Sequence, residues 1–180
     1  MEDIFVVRQQ GGLTDDELRA ALEQSLQGRN LRRVLIIPPD FTRFHSQAGK
    51  ITNLYYHLLK ARGVLVDILP ALGTHAPVTK EQWQLMYGDI PYECMMIHDW
   101  RRDVLRLGEV PAEYVKQVTE GLWQDPVDVE INRRIMDPAY DLIISPGQVV
   151  PHEVVGMANH AKNLFVGVGG NGMINSSHMI

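Results

Sequence analysis

A single cysteine, Cys94, occurs among 180 residues, so no disulfide can form within the chain. Its place in the apolar run Cys94-Met-Met-Ile97 predicts a buried thiol that acts as a small hydrophobe. No apolar stretch approaches the roughly 20 residues of a membrane span, and no basic N-terminal segment leads into an apolar one as an export signal would. Those absences point to a cytoplasmic setting with no membrane partner. Basic charge is also scarce, since 17 Lys and Arg stand against 22 Asp and Glu for a formal net charge of -5. Phosphate backbones are held by clustered cations, so nucleic acid is an unsuitable partner. The short clusters Arg101-Arg102 and Arg133-Arg134 read as solvated charges. Internal repeats, low-complexity segments and linkers are absent too, and 180 residues that are 45% hydrophobic suffice for one core.

What is present is an alternation of short apolar runs with amphipathic stretches, the pattern of βαβ units and a Rossmann-like, mostly parallel α/β sheet flanked by helices. Ile4-Phe-Val-Val7 reads as a first strand. Thr14 and Glu17 have capping-box spacing, and Leu18, Ala21, Leu22 and Leu26 recur at helical period until Gly28. Arg33-Val-Leu-Ile-Ile37, closed by Pro38-Pro39, reads as a buried central strand, followed by a loop over residues 40–45. A helix is predicted from Ser46 to about Arg62, stopped by Gly63, with His57 in it as a structural residue. Leu65-Val-Asp-Ile-Leu69 is a third strand, and Thr79 caps a helix carrying Trp83, Leu85 and Met86. Cys94 to Ile97, Val127 to Ile131 and Asp141 to Ile144 complete the predicted strands.

Three loops at the C-terminal ends of these strands carry polar groups: Asp40 to Arg43, Gly73-Thr74-His75, and Gln148 to His152. Ligands of open α/β sheets bind outside those strand ends, so residues distant in sequence can converge there. The planar guanidinium of Arg43 suits a carboxylate or phosphate, although by itself it equally suits a loop ion pair with Asp40. An unperturbed imidazole titrates near neutrality, so the residue type at His75 and His152 suits proton transfer. Lys162 lies beside Ala161 and Leu164, and a lysine in partly apolar surroundings can lose its proton and form a covalent adduct; it also suits a solvated helix face. Gly167-Val-Gly-Gly170 brings backbone close to whatever binds there. It is no dinucleotide fingerprint, because no βαβ unit or acidic residue follows it at the required distance.

Asp40-Phe-Thr-Arg43, Gly73-Thr-His75, Val150-Pro-His152, Lys162 ten positions on and His178 sixteen beyond it together resemble the N-terminal domain of the nickel-dependent lactate racemase family. The likeness runs from about Val34 to the end of the chain. It implies a nickel-pincer nucleotide, a pyridinium mononucleotide whose sulfur groups grip nickel. Lys162 would tether that cofactor covalently and His178 would supply the protein ligand to nickel. His75 and His152 would be the acid/base pair, with Asp40, Thr42 and Arg43 contacting substrate or cofactor. Removing the weakly acidic C–H of a 2-hydroxy acid as a proton leaves an unstabilised carbanion, so a hydride acceptor is the better route to inversion. The resemblance also implies that a C-terminal domain, which closes the cleft, is missing from these residues. A chain without it is expected to be inactive alone, and a homo-oligomer stays open.

The family usually approaches its lysine as Ser-Gly-Gly-x-Lys, whereas this chain has Ala158-Asn159-His160-Ala161-Lys162, and Val166-Gly167 replaces the usual Pro-Gly. Those departures predict a divergent subfamily with a different substrate. The competing expectation is a nucleotide- or zinc-binding domain without racemase activity, using His75, His152, His160 and His178.

Overall fold

Arg33–Ile36 forms β1, the central strand of a three-stranded parallel sheet in the computed structural model, which describes residues 3–8, 10–153 and 155–179. Val34, Leu35 and Ile36 are fully buried because both faces of the strand are covered, which is why the run is continuously apolar rather than alternating. On one side β1 pairs with β2 (Leu65–Ile68), and on the other with β5 (Leu142–Ile144). The α/β class expected from the alternation is what the chain adopts. Burial of each such aliphatic side chain contributes about 1.5–3 kcal/mol.

Helix α1 (Asp15–Ser25) starts at the capping box of Thr14 and Glu17 and buries Leu22 and Leu26. Helix α2 (Ala48–Ala61) ends before Gly63, whose φ of 75° few other residues adopt at low cost. Helix α3 (Lys80–Tyr87), capped by Thr79, packs so tightly on α2 that a Cβ on Gly49 would run into the backbone of Met86. Trp83 and Tyr87 pack with their rings tilted by 52° and centroids 4.5 Å apart, and the Tyr87 hydroxyl donates to the Pro39 carbonyl at 3.0 Å. That last bond pins the chain where it leaves β1 and turns into the polar loop.

A second layer lies beyond the sheet. β3 (Val104–Val110) and β4 (Val127–Asn132) form an antiparallel ribbon with α4 (Ala112–Val118) between them in sequence. The ribbon joins the C-terminal segment through the Asn132 N–H, which donates to the Val168 carbonyl at 2.7 Å. Buried His98 reinforces this seam: its Nε2 donates to the Gly169 carbonyl at 2.8 Å, and its Nδ1 accepts from Asn132 Nδ2 at 3.0 Å. Burial lowers its pKa, which favours the neutral ring that this pattern requires. The chain closes with a two-residue hairpin, β6 (Pro151–His152) and β7 (Gly156–Met157), a π-helical turn over Asn163–Gly167, and helix α5 (Asn171–Met179).

Four expectations need correction. Ile4 to Val7 is not a strand but irregular, exposed chain, with Phe5 85% accessible, because it lies against no sheet edge that could take up its backbone groups. Cys94 to Ile97 is likewise no strand. A 3-10 turn at Tyr92–Cys94 precedes it, and Met95 alone bridges Ile68 at the sheet edge. Cys94 itself is half-buried, its sulfur 3.8 Å from the Tyr56 hydroxyl. The stretch after Asp40 is a 3-10 turn over Phe41–Ser46 rather than an irregular loop. Among the described residues no helix is long and apolar enough to cross a membrane.

Candidate functional site

The exits of β1, β2 and β5 meet at one end of the sheet and enclose a crevice of about 390 Å³, closed on its far side by the hairpin, the π turn and α5. Asp40, Thr42, Arg43, His75, His152, Lys162 and His178 all line it. The convergence expected from strand-end placement is therefore met, although residues 40 and 178 are separated by most of the chain.

Asp40 is 6% exposed, and its carboxylate is fully engaged. Oδ1 accepts from the Thr42 N–H at 3.2 Å and from the Thr42 hydroxyl at 2.5 Å, which caps the 3-10 turn, while Oδ2 accepts from His75 Nδ1 at 2.5 Å. Asp40 therefore orients His75, and the loop ion pair with Arg43 that the sequence allowed does not form. Holding the proton on Nδ1 leaves Nε2 of His75 as the basic nitrogen. His75 stands in the loop after β2, fixed by its own N–H on the Leu72 carbonyl at 2.9 Å and by Gly73 N–H on the Gly167 carbonyl at 2.7 Å.

His152 presents the opposite arrangement. Its side chain is only 9% exposed, and its Nδ1 accepts from the Val155 N–H at 3.3 Å. Burial lowers its pKa, helped by the positive charges of Lys162 and Arg43. Lys162 is half-buried, and burial lowers its pKa too, with Arg43 adding repulsion. Both effects increase the share of unprotonated amine, the form that acts as a nucleophile. His178, on the last turn of α5, donates from Nδ1 to the Ile174 carbonyl at 2.7 Å, so its Nε2 keeps a lone pair suited to a metal ion.

The turn that carries Lys162 is held by residues whose importance the sequence did not advertise. Asn163, 4% exposed, donates from Nδ2 to Asn159 Oδ1 at 2.6 Å and to Ser145 Oγ at 3.3 Å, tying the turn to the exit of β5. The available signal was an amide at the head of the apolar run Asn163-Leu-Phe-Val166, a group that needs a partner when buried. Asn159 and His160 both have positive φ, 57° and 54°. The family pattern expected from the resemblance has two glycines here, the residue type for which this region carries no steric cost. Asparagine tolerates that region; an exposed histidine there carries strain. His160→Gly is expected to stabilise the fold by about 1 kcal/mol, raising the melting temperature by about 2–4 °C in a calorimetric scan. An unchanged or lower midpoint would show that His160 is held there by contacts worth more than the strain.

The glycine run plays a different part from the one its composition suggested. A Cβ on Gly167 would strike Ala71, one on Gly169 the Phe165 carbonyl, and one on Gly170 the Glu130 carboxylate. The glycines thus let the chain approach itself, and only Gly167 borders the crevice. Glu130 Oε2 also accepts from the Gly172 N–H at 2.8 Å at the start of α5. His160 lies on a separate apolar groove with Met157 and Phe165 and does not join His75, His152 and His178. Among the described residues no three His, Cys, Asp or Glu side chains are grouped to hold a metal ion, so the set of four histidines expected for zinc is not assembled.

A family model described as the lactate racemase N-terminal domain matches residues 15–180. Among solved structures the chain is similar to a protein from Thermotoga maritima, with a TM-score of 0.80 and 23% identity over 92% of this chain and 41% of that one. It is also similar to the lactate racemase apoprotein from Thermoanaerobacterium thermosaccharolyticum, with a TM-score of 0.59 and 19% identity over 85% of this chain and 37% of that one. At such identities the likeness concerns the fold. The chain spans about two-fifths of the length of each. No curated protein sequence matches it.

Proposed function

Because the chain belongs to the lactate racemase N-terminal domain family, we propose that it is the cofactor-binding part of a racemase or epimerase acting on a small 2-hydroxy acid. The observation that carries this reading is the joint lining of one crevice by the Asp40–His75 pair and a half-buried lysine of lowered pKa.

The donor set fits a group held by one lysine and one histidine. Lys162 has the desolvated amine that a covalent tether needs, and His178 has the carbonyl-anchored Nδ1 that leaves Nε2 for nickel. When bound, a nickel-pincer nucleotide would supply the acceptor for the C2 hydrogen together with its electron pair. The chain's own residues do the rest. His75 Nε2 takes the hydroxyl proton as the substrate becomes the planar 2-oxo acid, and Asp40 opposite Nδ1 stabilises the imidazolium that forms. Arg43 offers a planar fork to the substrate carboxylate. His152 faces the same crevice as the second histidine of the pair. Return of the C2 hydrogen with its electron pair to the other face of the planar acid, and of the proton to its oxygen, gives the enantiomer.

The remaining part of the longer relatives would form the opposite wall and exclude water, which strengthens each polar contact and retains the 2-oxo acid. Intact mass of the protein from its native host tests the class directly. An added mononucleotide mass with bound nickel is expected, together with enantiomer exchange of a panel of 2-hydroxy acids on a chiral column. An unmodified, nickel-free chain from cells that make the cofactor would remove the reading.

A further inference from the structure

We propose that His98, which lies outside the crevice, is a positioning residue: its neutral ring clamps the segment carrying Lys162 and His178 onto the antiparallel ribbon, and gaining one proton loosens that clamp. The proposal rests on the reading above only for what Lys162 and His178 do. The clamp itself rests on hydrogen bonding.

Val168-Gly169-Gly170 joins the turn that follows Lys162 to α5, and β4 holds this junction. The Asn132 N–H donates to the Val168 carbonyl at 2.7 Å, Ile131 bridges Gly169, and the Gly170 N–H donates to the Glu130 carbonyl at 3.3 Å. His98 adds a side-chain tie from Nε2 to the Gly169 carbonyl at 2.8 Å. A carbonyl only accepts, so Nε2 carries the hydrogen. What Nδ1 meets is decided one residue further on. The Arg134 N–H, which only donates, bonds Asn132 Oδ1 at 3.0 Å and caps the 3-10 turn over Arg133–Met136. The Asn132 NH₂ is thereby left to face His98 Nδ1 at 3.0 Å, where the ring has to accept. With His98 4% and Asn132 1% exposed, water is not at hand to replace a lost partner.

A proton added at Nδ1 sets N–H against NH₂. Turning the amide to offer its oxygen would set the NH₂ against the Arg134 N–H and uncap the turn, so a bond is lost either way. The ring's own stretch of chain supplies Asp99 and, just before β3, Asp103, whose charges favour the proton; Asp103 lies 3.8 Å from Arg133. From β4 come Asn132 and, two residues earlier, Glu130, whose carboxylate accepts from the Gly172 N–H. The C-terminal segment presents the Gly169 carbonyl. Burial outweighs the acids and holds the ring below the ordinary imidazole pKa. With a depressed folded pKa, the contribution to stability is fully present above the ordinary value of about 6.5 and is lost as pH falls through the folded one.

The test is amide hydrogen exchange by NMR on the 180-residue chain at pH 7.5 and pH 5, corrected for intrinsic rates, with titration of the His98 ring alongside. On acidification the Asn132 and Gly172 N–H groups, which lie in the seam, should lose protection severalfold, while the Leu69 N–H, bonded to the Ile36 carbonyl in the parallel sheet, keeps its own. His98→Gln retains one donor and one acceptor and does not titrate, so its seam should be equally protected at both pH values. A seam that loosens as much in His98→Gln as in the wild type would overturn the proposal. So would a wild-type ring that titrates at or above about 6.5, a measurement that decides even where the variant fails to fold. No cofactor or substrate enters either measurement, so the result is independent of the racemase reading.

Discussion

Asp40→Asn should lower turnover of the loaded enzyme by about 10³–10⁴-fold with little change in stability. Asparagine keeps an oxygen for Thr42 and so preserves the cap of the 3-10 turn over Phe41–Ser46. What changes is the group opposite His75. If the amide turns its NH₂ toward Nδ1, that nitrogen must accept, the ring proton moves to Nε2, and the base is lost although every atom is near its original place. Even where the ring keeps its tautomer, a neutral amide no longer stabilises the imidazolium. The expected signature is a fall in kcat with KM little altered, accompanied by a His75 ring that shows Nε2–H in the ¹⁵N spectrum. A loss confined to KM would place Asp40 in substrate binding and remove it from the positioning of His75.

Lys162→Ala should abolish covalent loading outright, with the adduct mass absent from the intact protein and the fold unchanged. The side chain is half-buried at the rim of the crevice rather than packed in the core, and such substitutions shift stability by only about 0.5 kcal/mol. His178→Ala should separate the two roles, keeping the organic adduct and losing nickel by elemental analysis. Adduct mass persisting in the lysine variant would show that attachment occurs elsewhere. Nickel persisting in the histidine variant at unchanged stoichiometry would show that the metal needs no imidazole from this position.

The sequence made the parallel sheet legible because β1, β2 and β5 are short apolar runs that end in Pro, Gly or polar residues, and the site followed from where those runs end. The alternation in Val127–Asn132 was visible as well, but its partner β3 was not. Val104-Leu-Arg-Leu-Gly-Glu-Val110 is largely exposed and slips register between Arg106 and Gly108, so neither face leaves a clear period. Ile4 to Val7 misled in the opposite way, having strand composition without an edge to join. In the site, the residues that line the crevice were readable as types, whereas their hydrogen-bond partners were not. Nothing in the spacing of Asp40 and His75 distinguishes a carboxylate that meets substrate from one spent on an imidazole. Nor could composition reveal that Asn159 and His160 take up a conformation usually left to glycine.

The pairing of β1 with β5 aligns Val34 with Leu142, two residues separated by more than half the chain. Such a closure carries a large entropic penalty until it is complete, so it belongs to the slow part of folding. Asp40 hangs from one side of that pairing, and Ser145, which holds the Lys162 turn through Asn163, hangs from the other. A nascent or partly opened chain can therefore own every reactive group and still present no crevice. On the proposed function, cofactor attachment would follow this closure, because it is burial in the assembled crevice that lowers the Lys162 pKa.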